Sequence, residues 1–192
     1  MLLLSLVMAL GATPTFGELD GASQLARDEA IAEARAAARG RAGISLVGSA
    51  AFGFATNAFA LGIGFSADAG MTFADRYTIA LHLTATAFLL LSAALEFEVV
   101  LSERMMFGVG ASLGGFGGLD APGASYVGIP ARVSWAFSER AREAIARSGF
   151  VFFAELTPGF GYVNSAGYGG SRRPLGVPLT IVALVGIGYA WW

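Results

Sequence analysis

Residues 105–116 read MMFGVGASLGGF. Phe107, Val109, Ala111 and Leu113 alternate with Gly108, Gly110, Ser112 and Gly114. Side chains on a strand point alternately to opposite faces, so this stretch makes a ribbon with one greasy face and one face of small groups. Wound into a helix, the same residues would scatter both kinds all round, and each glycine would cost about 1 kcal/mol against alanine. The neighbouring stretches repeat the pattern. In 126–137, YVGIPARVSWAF, Val127, Ile129, Ala131, Val133, Trp135 and Phe137 oppose Gly128, Pro130, Arg132, Ser134 and Ala136. Residues 61–73 set Leu61, Ile63, Phe65 and Met71 against Gly62, Gly64, Ser66, Asp68 and Thr72, and 77–87 set Tyr77, Ile79, Leu81 and Leu83 against Thr78, Ala80, His82 and Thr84.

Extended along the chain, this period predicts eight strands: 43–54, 60–73, 77–88, 93–101, 105–116, 126–137, 150–163 and 177–191. A tilted membrane-crossing strand needs roughly 9–11 residues, which these segments supply. Length alone also allows apolar helices over 42–67 and 174–192, the arrangement of a helical inner-membrane protein. Periodicity decides against that alternative. Three connections share a local pattern: Phe73-Ala74-Asp75-Arg76, Leu101-Ser102-Glu103-Arg104 and Phe137-Ser138-Glu139-Arg140. They fall at every second link, so an up-and-down meander gathers them at one end. The links GGLDAPGAS and NSAGYGGSRRPLG fall at the other.

Composition narrows the class. The 192 residues are 55% hydrophobic and 14% charged, with 27 glycines and no cysteine. Disorder needs low hydrophobicity and high net charge, so it is excluded. Without cysteine there is no disulfide scaffold and no thiolate metal site. A net charge of -2 leaves no electrostatic footprint for nucleic acid. A mean hydropathy of +0.64 points to lipid. Residues 1–17 open with the apolar run MLLLSLVMAL, too short to span a bilayer and suited to a secretory signal, although no Lys or Arg precedes it. Residues 18–41 hold nine of the chain's 26 charged residues, are rich in alanine and stop near Gly40. They predict a short, loosely held helix or linker. The barrel is expected over 42–192.

These features resemble a small bacterial outer-membrane β-barrel of the OmpA-like type. The resemblance covers residues 42–192 and ends in Tyr189-Ala190-Trp191-Trp192, similar to the aromatic C-terminal signal that the barrel insertion machinery reads in such proteins. Here Tyr189 and Trp191 fall outward and Trp192 lies one residue beyond. The resemblance implies a closed antiparallel eight-stranded up-and-down transmembrane β-barrel, monomeric, in the bacterial outer membrane with periplasmic termini.

An eight-stranded barrel has an interior only just wide enough for side chains, so the large apolar residues are expected outside against lipid and Gly, Ser, Thr and Ala inside. Aromatic girdles are expected from Phe73, Tyr77, Trp135, Phe137 and Trp191 at one end and Phe54, Phe88, Tyr126 and Tyr162 at the other. Five ionised residues fall within the expected strands: Asp68, Glu96, Glu98, Arg132 and Glu155. All five are on the inward face, an outcome that chance gives about one time in 32. Counted from the turns, Asp68, Glu96, Arg132, Glu155 and His82 lie at the same height, six residues in. The expectation is a polar layer near mid-membrane with Asp68–His82 and Arg132–Glu155 as cross-strand pairs, and with Gly108 and Gly110 leaving room for the two glutamates.

The layer admits a chemical reading. Asp68 and His82 resemble half of a hydrolytic triad, with Ser66, Thr84 or Ser112 as candidate nucleophiles, and Glu96 with Glu98 resemble an acid–base pair. A site deep in the lumen has no evident path for substrate, so the expected role is structural, and no cofactor or metal is implied. The sequence reading is therefore a non-catalytic outer-membrane barrel with a structural or surface-interaction role. Its alternatives are a narrow cation-preferring pore and a lipid-modifying enzyme. Arg172 and Arg173, in the last outer loop, are candidates for gripping phosphates of a surface glycolipid.

Overall fold

The computed structural model describes residues 24–53, 58–87, 90–116, 124–138, 148–163 and 179–191. A helix, α1 (Gln24–Ala36), precedes β1 (Arg39–Gly53), β2 (Ala58–Phe73), β3 (Tyr77–Thr86), β4 (Leu90–Val100), β5 (Met105–Phe116), β6 (Ala124–Gly128), β7 (Ala131–Ala136), β8 (Ser148–Val163) and β9 (Leu179–Trp191). Neighbouring strands pair antiparallel along the chain, except that β6 and β7 do not pair with each other but each lie between β5 and β8, and β1 also pairs with β9, from Ala42↔Trp191 to Gly53↔Thr180. The sheet is closed.

β6 and β7 are two halves of one stave, so the barrel has eight staves. Both halves lie between β5 and β8, and the register runs through without slipping: Ser112↔Gly128 continues as Val109↔Ala131. The break falls at Pro130, which has no N–H to give to the ladder. The backbone still holds there through the Gly110 amide on the Pro130 carbonyl and the Ile129 amide on the Pro158 carbonyl.

The register also fixes the tilt. Crossing from Gly43 through Asp68, His82, Ala94, Ser112, Gly128, Gly159 and Thr180 returns to β1 at Gly53, ten residues above the start. With a rise of about 3.3 Å per residue and staves about 4.8 Å apart, that stagger inclines them by about 40°.

Two boundaries differ from the sequence expectation by three residues or more. β1 begins at Arg39 rather than Gly43, because the alternation and the pairing with β2 continue down to Arg39↔Thr72. β4 begins at Leu90 rather than Ala93. Residues 42–53 and 58–67 form two strands, not one helical rod, and no described helix is long and apolar enough to cross a membrane.

The faces are inverted relative to a water-soluble globule. Ile63 and Leu91 are each 68% exposed on the outer wall, whereas Glu96 is 1% exposed inside. Outward aromatics crowd the end that carries the tight turns: Tyr77 stacks on Phe97 with ring centroids 5.8 Å apart, and Tyr189 meets Phe150 at 5.6 Å and Trp191 at 5.1 Å. At the other end Tyr126 is turned inward, not into a girdle, since it has the parity of Gly128 and Arg132; it packs on Phe116 with centroids 6.3 Å apart. Phe54, Phe88 and the Tyr162 side chain lie outside the described residues.

The lumen is not lined by small residues alone. One inward apolar cluster joins Val47, Leu90, Phe116, Tyr126, Phe153, Val182 and Leu184. A smaller one joins Met106, Ala136, Val151 and Ala190 near the tight-turn end. Glycine makes the larger side chains fit. A Cβ on Gly186 would lie 2.6 Å from Cζ of Phe153, and one on Gly114 would lie 2.7 Å from Cε1 of Tyr126.

The turn between β2 and β3 ties down the helix. Ala74 and Asp75 have φ of 50° and 55°, and the Arg76 amide donates to the Phe73 carbonyl at 3.1 Å. Two positive φ values match the right-handed twist of a two-residue hairpin. The Ala74 amide donates to the Ala36 carbonyl at 3.3 Å, and Asp75 pairs with Arg39. The last turn of α1 is thus moored to the barrel rim.

Candidate functional site

Between the two apolar clusters lies a layer of charge. Asp68, His82, Glu96, Glu98, Arg132 and Glu155 all point inward and are buried. A seventh member is Arg41, 4% exposed on β1, which sequence reasoning assigned to the linker. Its signal was available: Arg41 has the parity of Gly43, Ser45 and Val47, the inward residues of its strand.

Arg41 is the hub of one half of the layer. Its Nη1 pairs with Glu98 Oε2, and its Nε lies 3.4 Å from Asp68 Oδ2. Glu98 turns its other oxygen to His82, Oε1 to Nε2 at 3.2 Å. Glu96 Oε2 lies 3.9 Å from the same nitrogen. In the other half, Arg132 Nη1 donates to Glu155 Oε2 at 3.3 Å, and Thr157 Oγ1 donates to Glu155 Oε1 at 3.0 Å. The Arg132 guanidinium carbon sits 3.6 Å from the centroid of the Phe153 ring, a buried cation–π contact.

Asp68 and His82 face each other in register, as do Arg132 and Glu155. Only the second register pair is an ion pair. On its other side Asp68 is opposite Gly43, and a Cβ there would lie 3.0 Å from the Asp68 Cγ. The empty place lets the short carboxylate lean toward β1 and Arg41. His82 is opposite Ala94 on β4, which leaves its ring free to lean toward the glutamates. Gly108 makes room for both of them, since a Cβ there would lie 2.7 Å from Glu96 Oε2 and 3.0 Å from Glu98 Cγ. Gly110 instead lies against the backbone of Leu95 and Glu96.

The layer lies nearer the tight-turn end than mid-wall. Arg41 is two residues inside the start of β1 and Glu98 two inside the end of β4, while β1 runs on twelve residues beyond Arg41. The charge count also changes. Four carboxylates face two arginines, Arg41 and Arg132, rather than one.

Among the described residues no hydroxyl is coupled to His82. Its Nε2 meets the two glutamates, and its Nδ1 has no hydrogen-bond partner among the described residues. Thr84 donates to Ser66 at 3.0 Å, and Ser112 Oγ has no partner there. Among the described residues the arrangement concentrates charge and brings no serine or threonine hydroxyl to His82. Arg172 and Arg173 lie outside the described residues.

The fold defines a closed, eight-staved antiparallel barrel, consistent with an outer-membrane-type barrel. Compared with known proteins, the chain matches no family model, no curated protein and no solved structure.

Proposed function

We propose that the chain is an integral bacterial outer-membrane barrel of the OmpA-like type, non-catalytic and monomeric, with a structural or surface-interaction role. The observation that carries this reading is the inverted wall. Large apolar side chains such as Ile63, Phe65, Leu91 and Leu113 stand more than 60% exposed, while Arg41, Asp68, Glu96, Glu98, Arg132 and Glu155 are buried within. Water does not favour so much contiguous apolar surface, and hydrocarbon does. A leader in residues 1–17, periplasmic termini and delivery by the barrel insertion machinery belong to the same proposal. Contact of Arg172 and Arg173 with glycolipid phosphates completes it.

Two features weigh against the alternatives. The apolar clusters on either side of the charged layer oppose a wetted cation path, because a constriction lined by Phe, Tyr, Leu and Val dewets. Among the described residues no hydroxyl meets His82, which weighs against a lipid-modifying reaction that uses His82 to activate one.

The test is expression of the whole chain in a Gram-negative host. Recovery in the outer-membrane fraction, resistance to urea extraction, and faster migration before boiling than after are the expected results. Recovery as a soluble protein or in the inner membrane overturns the proposal.

A further inference from the structure

His82 Nε2 and carboxylate oxygens of Glu96 and Glu98 all lie within 4.8 Å of one another, on the adjacent strands β3 and β4. Two of the separations are 3.2 and 3.9 Å. Four-coordinate zinc with bonds of about 2.0–2.2 Å spaces its ligand atoms about 3.3–3.6 Å apart, so small side-chain adjustments bring all three onto one ion. Glu96 supplies an independent sign. Its side chain is 0% exposed, and neither Oε1 nor Oε2 has a hydrogen-bond partner among the described residues. A buried carboxylate left this way costs several kcal/mol unless something meets it. The place beside it is kept open by Gly108.

We propose that His82, Glu96 and Glu98 bind one divalent transition-metal ion of the zinc type inside the barrel. An imidazole beside two carboxylates suits zinc better than calcium or magnesium, which prefer all-oxygen shells. Glu98 serves two partners with its two oxygens, Oε2 for Arg41 and Oε1 for the ion. The charge balance agrees. With every carboxylate ionised, the four buried carboxylates of the described layer exceed its two buried arginines by two negative charges, which one divalent ion neutralises. The ion fastens β3 to β4 and replaces the hydrogen bonds that Glu96 lacks. Because apolar clusters flank the layer, the ion enters while the barrel is folding and leaves slowly afterwards.

The chain makes the test clean, since it has one histidine and no cysteine. Untagged protein is refolded from urea into detergent with zinc, or with calcium as control, then desalted. The expected result is one zinc per folded chain, no calcium, and an X-ray absorption spectrum with one imidazole nitrogen among oxygen ligands. That nitrogen can only be His82. A chelator is expected to strip the ion in urea but not from the folded barrel. Glu96→Gln is expected to weaken retention at least about tenfold, and Gly108→Ala to weaken it by crowding the carboxylate. Folded wild-type barrel without zinc, zinc bound through oxygen alone, or unchanged retention in folded Glu96→Gln each overturns the proposal. The wild-type spectrum decides the matter even if a variant does not fold.

Discussion

Arg41 and Glu98, 57 residues apart in sequence, form a buried ion pair across the lumen between β1 and β4, staves that do not touch in the sheet. Both side chains are 3% exposed or less. Removing one partner of such a pair leaves an uncompensated charge, at a cost of about 3–5 kcal/mol. Arg41→Met is therefore expected to destabilise the barrel by about that much in urea unfolding. The double variant Arg41→Met/Glu98→Met is expected to recover a large part of the loss. A single-variant cost under about 1 kcal/mol would show that the pair is not formed.

Phe153 and Gly186 provide a packing test. The ring carries the Arg132 guanidinium on one face, and its edge fills the place where a Gly186 side chain would stand. Gly186→Ala is expected to cost about 1–3 kcal/mol through overpacking. Gly48→Ala is the control: its Cβ meets only the Val185 carbonyl, at 3.8 Å, and stability is expected to change by no more than about 0.5 kcal/mol.

Ala74 holds a φ of 50° without the excuse of being glycine. The left-handed region costs a side-chain-bearing residue about 1–2 kcal/mol. Ala74→Gly is expected to raise the unfolding midpoint, despite the greater chain entropy glycine brings to the unfolded state. Asp75→Ala keeps the φ and loses the Arg39 pair, and is expected to lower it.

The outer wall separates lipid from water as its solvent. Leu83, 51% exposed near the middle of β3, is the place to ask. In a bilayer Leu83→Arg is expected to cost about 2–4 kcal/mol. Equal stability of variant and wild type in lipid vesicles would contradict a membrane-embedded wall.

Much of this architecture was legible from period two alone. Alternation at residues 105–116 and its echoes give the strands, the closure and the inward parity of six members of the charged layer. Arg41 escaped because composition drew the boundary: charge and alanine made residues 18–41 look like a unit, though the alternation already ran through Arg41. Partner choice was illegible for a different reason. Whether Asp68 leans to His82 or to Arg41 depends on the missing Cβ of Gly43, three-dimensional information that cross-strand register supplies and a single strand's pattern does not. The inward Phe153, Leu184 and Tyr126 were missed because an expectation of small lumen residues overlooked glycines on neighbouring staves that make space for larger ones.

The seam between β1 and β9 sets the timetable of biogenesis. β1 finds its second neighbour only once the distant residues Thr180 to Trp191 have been synthesised. Until then two raw edges invite pairing with other chains. Loss of residues 179–191 should therefore turn an orderly cylinder into an aggregating ribbon with both edges bare.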